Sequence, residues 1–172
     1  MNFIYPFDGR RPKLDPSAFV APGASVIGDV ELGPDVSIWH GAVLRGDDGP
    51  IRIGPRTNIQ DMTVIHVVAP TIIGANVTIG HRVVLHGVTI EDDAMIGIGA
   101  ILLDGVHVEK GAVVAAGSVV SPGKRVLANQ LWAGVPARFS REVRPQEHEF
   151  IETNAAHYVE LAQKHRAALA GA

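Results

Sequence analysis

Aliphatic residues recur at every sixth position through most of this chain, and that regularity constrains its fold more than any other feature. Leu14, Val20, Val26, Leu32, Ile38 and Leu44 set the phase. Ile53, Ile59 and Ile65 resume it, then Ile73, Ile79 and Leu85, then Ile90, Ile96, Leu102, Val108, Val114 and Val120, eighteen anchors in all. Four positions after the anchor stands Ala, Val, Thr or Ser in sixteen of the eighteen, the exceptions being Asp48 and Lys124. Chance alternation does not keep a small residue at one phase for so long. A strict period of this kind marks a repeat architecture, in which each unit buries its apolar residue only by stacking on the next.

The pattern resembles the hexapeptide repeat of left-handed parallel β-helices and covers residues 14–138. In that architecture the anchor points into a prism, small residues sit at the crowded corners, and three hexads make one coil. The expected fold is therefore an all-β solenoid, a left-handed parallel β-helix of about six coils stacked at about 4.8 Å. Residues 1–13 read as an N-terminal arm. Residues 139–172 read as a linker and one helix packed on a prism. Apolar positions at Ile151, Ala155, Tyr158, Ala162, His165 and Leu169 form one helical stripe, from about Gln146 to Ala170.

Composition removes several classes of function. With no Cys among 172 residues, disulfides and thiolate metal sites are excluded, and a soft metal must be held by imidazole. A net charge of -3 gives no basic footprint for nucleic acid. No run of about 18 apolar residues is present for a membrane helix, and the start MNFIYPFDGRRPKL has no signal-type apolar stretch. A soluble, cytoplasmic protein is the expectation.

The repeat also converts sequence distance into spatial distance. Three hexads per coil stack Leu44, Ile65 and Leu85, so the residues that follow, Arg45, His66 and His86, form an outward ladder. Ile38, Ile59 and Ile79 stack likewise, which brings His40, Asp61 and His81 into one corner column with Gln60 beside Asp61. The register breaks at Arg45–Arg52 (RGDDGPIR), after His66 (VVAPT), and between Leu85 and Ile90, where one residue is missing. The breaks are expected to leave the coil as loops, and all lie beside Arg45 or a histidine.

Tetrahedral zinc brings imidazole nitrogens to roughly 3.3 Å of one another. His66 and His86, on adjacent coils, meet that requirement. His81 precedes His86 by five extended residues, roughly 15 Å, so its ring is expected to join the pair from a neighbouring subunit. A homotrimer with one metal at each interface follows as an expectation. The remaining histidines, His40, His107, His148, His157 and His165, read as structural or surface residues.

The runs SIWHGAVLRGD (Ser37–Asp47), IGPRTNIQDMTVIH (Ile53–His66), GHRVVLHG (Gly80–Gly87) and NAAHYVELA (Asn154–Ala162) are similar to the γ-class carbonic anhydrase family. The resemblance implies His66, His81 and His86 as ligands of Zn2+, with Fe2+ or Co2+ as alternatives. It implies reversible hydration of CO2 to bicarbonate by a metal-bound hydroxide. It also implies Arg45 and Asp47 as an interface ion pair that reaches Asp61, Gln60 as the residue that positions the reacting water, and Asn58 as its polar neighbour. Where the family archetype carries a long acidic loop with a proton-shuttling glutamate, this chain has only Val67–Thr71, as in short-loop relatives. Asp48 is the nearest acidic candidate for that task. A second departure is Trp132, where many relatives have Tyr. Two other readings use the same metal: hydrolysis of a thioester or related acyl bond, and a metal-stabilised trimer with little anhydrase activity. An acyltransferase, common among hexapeptide-repeat trimers, would need no such histidine triad.

Overall fold

Three columns of inward-pointing side chains run the length of the prism. In the computed structural model, which describes residues 3–171, the first column pairs Ile4, Val26, Leu44, Ile65, Leu85, Leu102 and Val120 in parallel register. The second column runs from Leu14 through Ile53 and Ile73 to Val126. The third runs from Val20 through Ile38, Ile59 and Ile79 to Trp132. Together they make a left-handed parallel β-helix of about seven turns, with a single C-terminal helix.

The expected six coils thus gain a turn. Phe3–Tyr5, assigned to the arm, pairs with Ser25–Ile27 and supplies the first anchor. At the other end Val126 and Trp132 extend their columns beyond Val120.

The small residues fill the corners as the register requires: Ala24, Val36, Ala42, Thr57, Thr63, Val77, Val83, Ala94, Ala100, Ala112 and Ser118 are all buried. Thr57 and Thr63 place hydroxyls inside the prism without cost, because each donates to the carbonyl of a glycine one coil on (Gly74, 2.7 Å; Gly80, 2.9 Å). A close-packed column of this kind transmits any volume change, so truncating an anchor such as Leu85 is expected to cost about 2–5 kcal/mol.

RGDDGPIR does not leave the coil as a loop. It lies within one long strand, Val43–Ile53, which pairs with Ser25–Leu32 around the corner between the first and second faces. Gly28 faces Gly46 and Val30 faces Ile51, so Asp47–Pro50 form a bulge opposite the single residue Asp29. Backbone hydrogen bonding continues on both sides of the bulge, which fixes the direction of Arg45 and Asp47.

The corner between the third and first faces turns through left-handed backbone at Gly23, Gly41, Gly99 and Gly117, but at Met62 (φ 62°) and Arg82 (φ 59°) a full side chain occupies that conformation. These two residues directly follow Asp61 and His81.

The helix, Pro145–Ala170, lies against the third face of its own prism. Ile151, Ala155 and Ala162 of its stripe are buried, and Tyr158 packs edge-on to Trp39 at 5.4 Å between ring centroids. His165 stacks edge-on to the same Trp39 at 5.1 Å, while Leu169 stays exposed. Pro145 opens the first turn, and Glu147 accepts from the Arg144 backbone N–H (2.8 Å) and from both terminal nitrogens of Arg141 (2.7 Å each). Those donors hold the Glu147 carboxyl well below its ordinary 4.5, at about 2, with the Arg141 hydrogen bonds the largest cause. Among the described residues no helix is long and apolar enough to cross a membrane.

Candidate metal centre

The ladder foreseen on the first face is present: Arg45 is beside His66, and His66 beside His86, on successive strands. His66 Nδ1 lies 3.2 Å from His86 Nε2. The other nitrogen of each ring meets a carboxylate, His66 Nε2 with Asp47 Oδ1 at 3.2 Å and His86 Nδ1 with Asp104 Oδ1 at 2.7 Å. A carboxylate at one ring nitrogen keeps the hydrogen there and leaves a lone pair on the other. The two lone pairs therefore face each other, an arrangement that a shared cation relieves. Their separation matches the roughly 3.3 Å between ligand nitrogens around tetrahedral zinc, so the donor set fits a borderline-soft divalent metal.

His81 does not join this pair within the chain. It sits on the corner between the third and first faces, its Nδ1 2.9 Å from Asp61 Oδ2. The same logic applies to it: Asp61 takes the Nδ1 hydrogen, and Nε2 is left with its lone pair. Each of the three imidazoles thus carries one carboxylate of its own.

Among the described residues, the one group of three or more ligand-type atoms lying within 4.8 Å of one another is Asp47, Asp48 and His66. Asp47 serves there as a support for His66. Its Oδ2 is ion-paired with Arg45, and its Oδ1 accepts from His66 and from the Asp48 backbone N–H. Burial pushes the Asp47 carboxyl up, but hydrogen bonds from Arg45 and nearby backbone together with the Arg45 charge outweigh that, and the net position is below the usual carboxylate value. Asp48 points outward, its side chain 66% exposed and Oδ2 4.0 Å from His66 Nε2.

Gln60 and Asn58 lie on the third face, both buried. Asn58 donates through Nδ2 to Thr78 Oγ1 (3.0 Å), which turns its oxygen towards Gln60 Nε2 (3.1 Å). Gln60 is therefore committed as a donor on one side and keeps its carbonyl oxygen as an acceptor. Asn154 of the helix donates to the same Thr78 hydroxyl at 2.9 Å. Tyr158, one helical turn further on, is held above its ordinary pKa by burial and by the charge of Asp61.

Asp104, Thr78 and Asn154 were not foreseen from the sequence. In the sequence Thr78 is only a residue preceding an anchor, and Asn154 lies in a helix whose docking face the repeat does not fix. The outlying histidines hold structural contacts: His40 Nδ1 bonds the Pro22 carbonyl (2.9 Å), and His107 Nε2 pairs with Glu91 (2.7 Å).

Two family models match the repeat itself, one described as bacterial transferase hexapeptide (six repeats) over residues 87–122, the other as hexapeptide repeat of succinyl-transferase over residues 70–102. The chain is 51% identical over 164 residues to gamma carbonic anhydrase 2, mitochondrial, of Arabidopsis thaliana, covering 91% of this chain. It spans 59% of that relative's own length. A solved structure of a hexapeptide transferase family protein from Anaplasma phagocytophilum superposes with a TM-score of 0.92 at 42% identity, over 94% of this chain and 97% of that one. A carbonic anhydrase of Geobacillus kaustophilus is 41% identical over 95% of this chain and 91% of its own length. With a gamma carbonic anhydrase half identical over 91% of this chain and a carbonic anhydrase matched nearly end to end, on a β-helix that pairs His66 with His86, the chain belongs to the γ-class carbonic anhydrase family.

Proposed function

We propose that this protein catalyses the reversible hydration of CO2 to bicarbonate at a metal centre shared between subunits of a homotrimer. The observation that carries the reading is the pair of ring nitrogens 3.2 Å apart on His66 and His86, with His81 held by Asp61 on a different edge of the prism. His66 and His86 of one chain and His81 of the next would complete the ligand set, with zinc the best fit and iron or cobalt compatible with three imidazoles. The surfaces that would meet suit burial. Met62, Val64, Val84 and Ile98 are exposed apolar side chains on the same face and corner as the three histidines.

His66, His81 and His86 would hold the ion, which would supply a water acidified to near neutrality. The chain's own residues supply the rest. Gln60, anchored by Asn58, offers its carbonyl oxygen to orient that water for attack on CO2. Asp47, fixed by Arg45, holds the His66 ring, and Asp61 holds His81. Asp48, exposed and directly after Asp47, would be the acceptor that passes the released proton to solvent. The pairs Arg45–Asp47 and Asp61–His81 also stiffen the edges that meet across the interface. The acyltransferase reading requires none of these three buttressed imidazoles.

His81→Ala tests the shared site. It is expected to abolish stoichiometric metal and to weaken the trimer, read by metal analysis and by mass in solution; unchanged metal and mass would remove the shared centre. Stopped-flow CO2 hydration on zinc- and iron-loaded wild type then tests the reaction. A rate no greater than that of free metal would redirect the same centre to thioester or acyl substrates.

A further inference from the structure

We infer that Asp104 is the positioning residue of His86, admitted to it by Gly87 of the short hexad; this deepens the metal-centre reading above and rests on it.

The strands Val84–His86 and Ile101–Leu102 pair in register, with Leu85 beside Leu102. Beyond them the two corners differ. The upper corner reads Leu103, Asp104, Gly105, with Gly105 at φ 69°, whereas the lower reaches its own left-handed glycine, Gly87 at φ 60°, directly after His86. The Gly105 backbone N–H donates to the Gly87 carbonyl at 2.8 Å, just as Gly123 N–H donates to the Asp104 carbonyl one coil on, which places Gly87 beneath Asp104. The residue missing between Leu85 and Ile90 is thus the one that would lie beneath Gly105. Past the bare Gly87 the Asp104 carboxylate reaches down to His86 Nδ1, at 2.7 Å.

Gly87 keeps the space open. A Cβ there would stand 2.9 Å from Asp104 Oδ1. The Asp104 backbone is fixed from above as well, its carbonyl accepting from Gly123 N–H at 2.8 Å. An aspartate whose side chain is 53% exposed is therefore aimed by its backbone and by the bare glycine below it. The consequence for His86 is a set tautomer: the hydrogen sits on Nδ1 and the Nε2 lone pair points at His66. Carboxylates placed behind ligating imidazoles in this way typically contribute 10–100-fold to metal affinity.

The test is zinc affinity by chelator competition on the full-length protein, with the visible spectrum of the cobalt-substituted form as a second reading. Asp104→Ala is expected to lower zinc affinity about 10–100-fold and to change the cobalt absorption. The melting point and circular dichroism of the metal-free protein should stay those of wild type. Asp104→Asn, whose carbonyl can accept the same bond, should recover part of the loss. Gly87→Ala, which displaces the carboxylate, should reproduce the Asp104→Ala affinity.

Affinity within twofold of wild type in Asp104→Ala overturns the inference. So does a loss matched by lowered metal-free stability, which would mark a merely structural role. Wild type that binds no metal overturns the shared centre together with this inference, whereas metal-binding wild type beside an unaffected Asp104→Ala overturns this inference alone.

Discussion

At the scale of single residues, much of the site is built by side chains that cannot touch a substrate. Asn58 is fully buried, and its amide decides which end of Gln60 is left to act. Asn58→Leu removes the acceptor for Gln60 Nε2 and strands the Thr78 hydroxyl between fewer partners. The expected result is a loss of about 1–3 kcal/mol in stability and a fall in kcat with metal content unchanged, read by chemical denaturation and metal analysis side by side. The columns that hold His66, His81 and His86 were legible because the six-residue phase sets the height of every residue. The network behind Gln60 was not, because Asn154 lies 76 positions from Thr78 and no periodicity links them. Asp104 escaped for a different reason: it reaches His86 over Gly87, beside a deletion that shifts the very register used to locate neighbours.

At the scale of elements, the anchors Leu14 to Val120 marked the prism, but its two ends did not read as coils. Ile4 stands between exposed aromatics, Phe3 and Tyr5, and Trp132 replaces the aliphatic anchor, so neither resembles the hexads it joins. Asp-Gly-Pro read as turn chemistry, yet pairing with Ser25–Leu32 keeps that segment in the sheet and confines the extra residues to a bulge.

The helix start carries a pH signature. Because the Glu147 carboxyl is lowered from 4.5 to about 2, its ionised form stabilises the folded chain. That contribution is present above about pH 4.5 and is lost as pH falls towards 2. Glu147→Gln is expected to melt earlier at pH 7, by no more than about 1 kcal/mol for a partly exposed pair. Melts repeated at descending pH should show the gap between the two proteins closing over that window.

At the scale of the whole molecule, the first face, its apolar side chains and the adjoining corner make a surface suited to a second copy of this chain. The turns of that corner are not uniform. Four of its coils turn on glycine, while Met62 and Arg82 hold the same left-handed backbone with full side chains, beside Asp61 and His81. A side chain in that conformation costs about 1–2 kcal/mol, partly offset by the lower entropy of a non-glycine unfolded chain. Met62→Gly and Arg82→Gly are therefore expected to raise the melting temperature of dilute, metal-free protein slightly, while raising the concentration needed to hold the proposed trimer together. Calorimetry and sedimentation on the same samples would read both; a variant that gained on both counts would contradict the assignment. The two residues would then be a small cost that each chain bears for the sake of its neighbours, so the subunit by itself is less stable than its sequence could have made it.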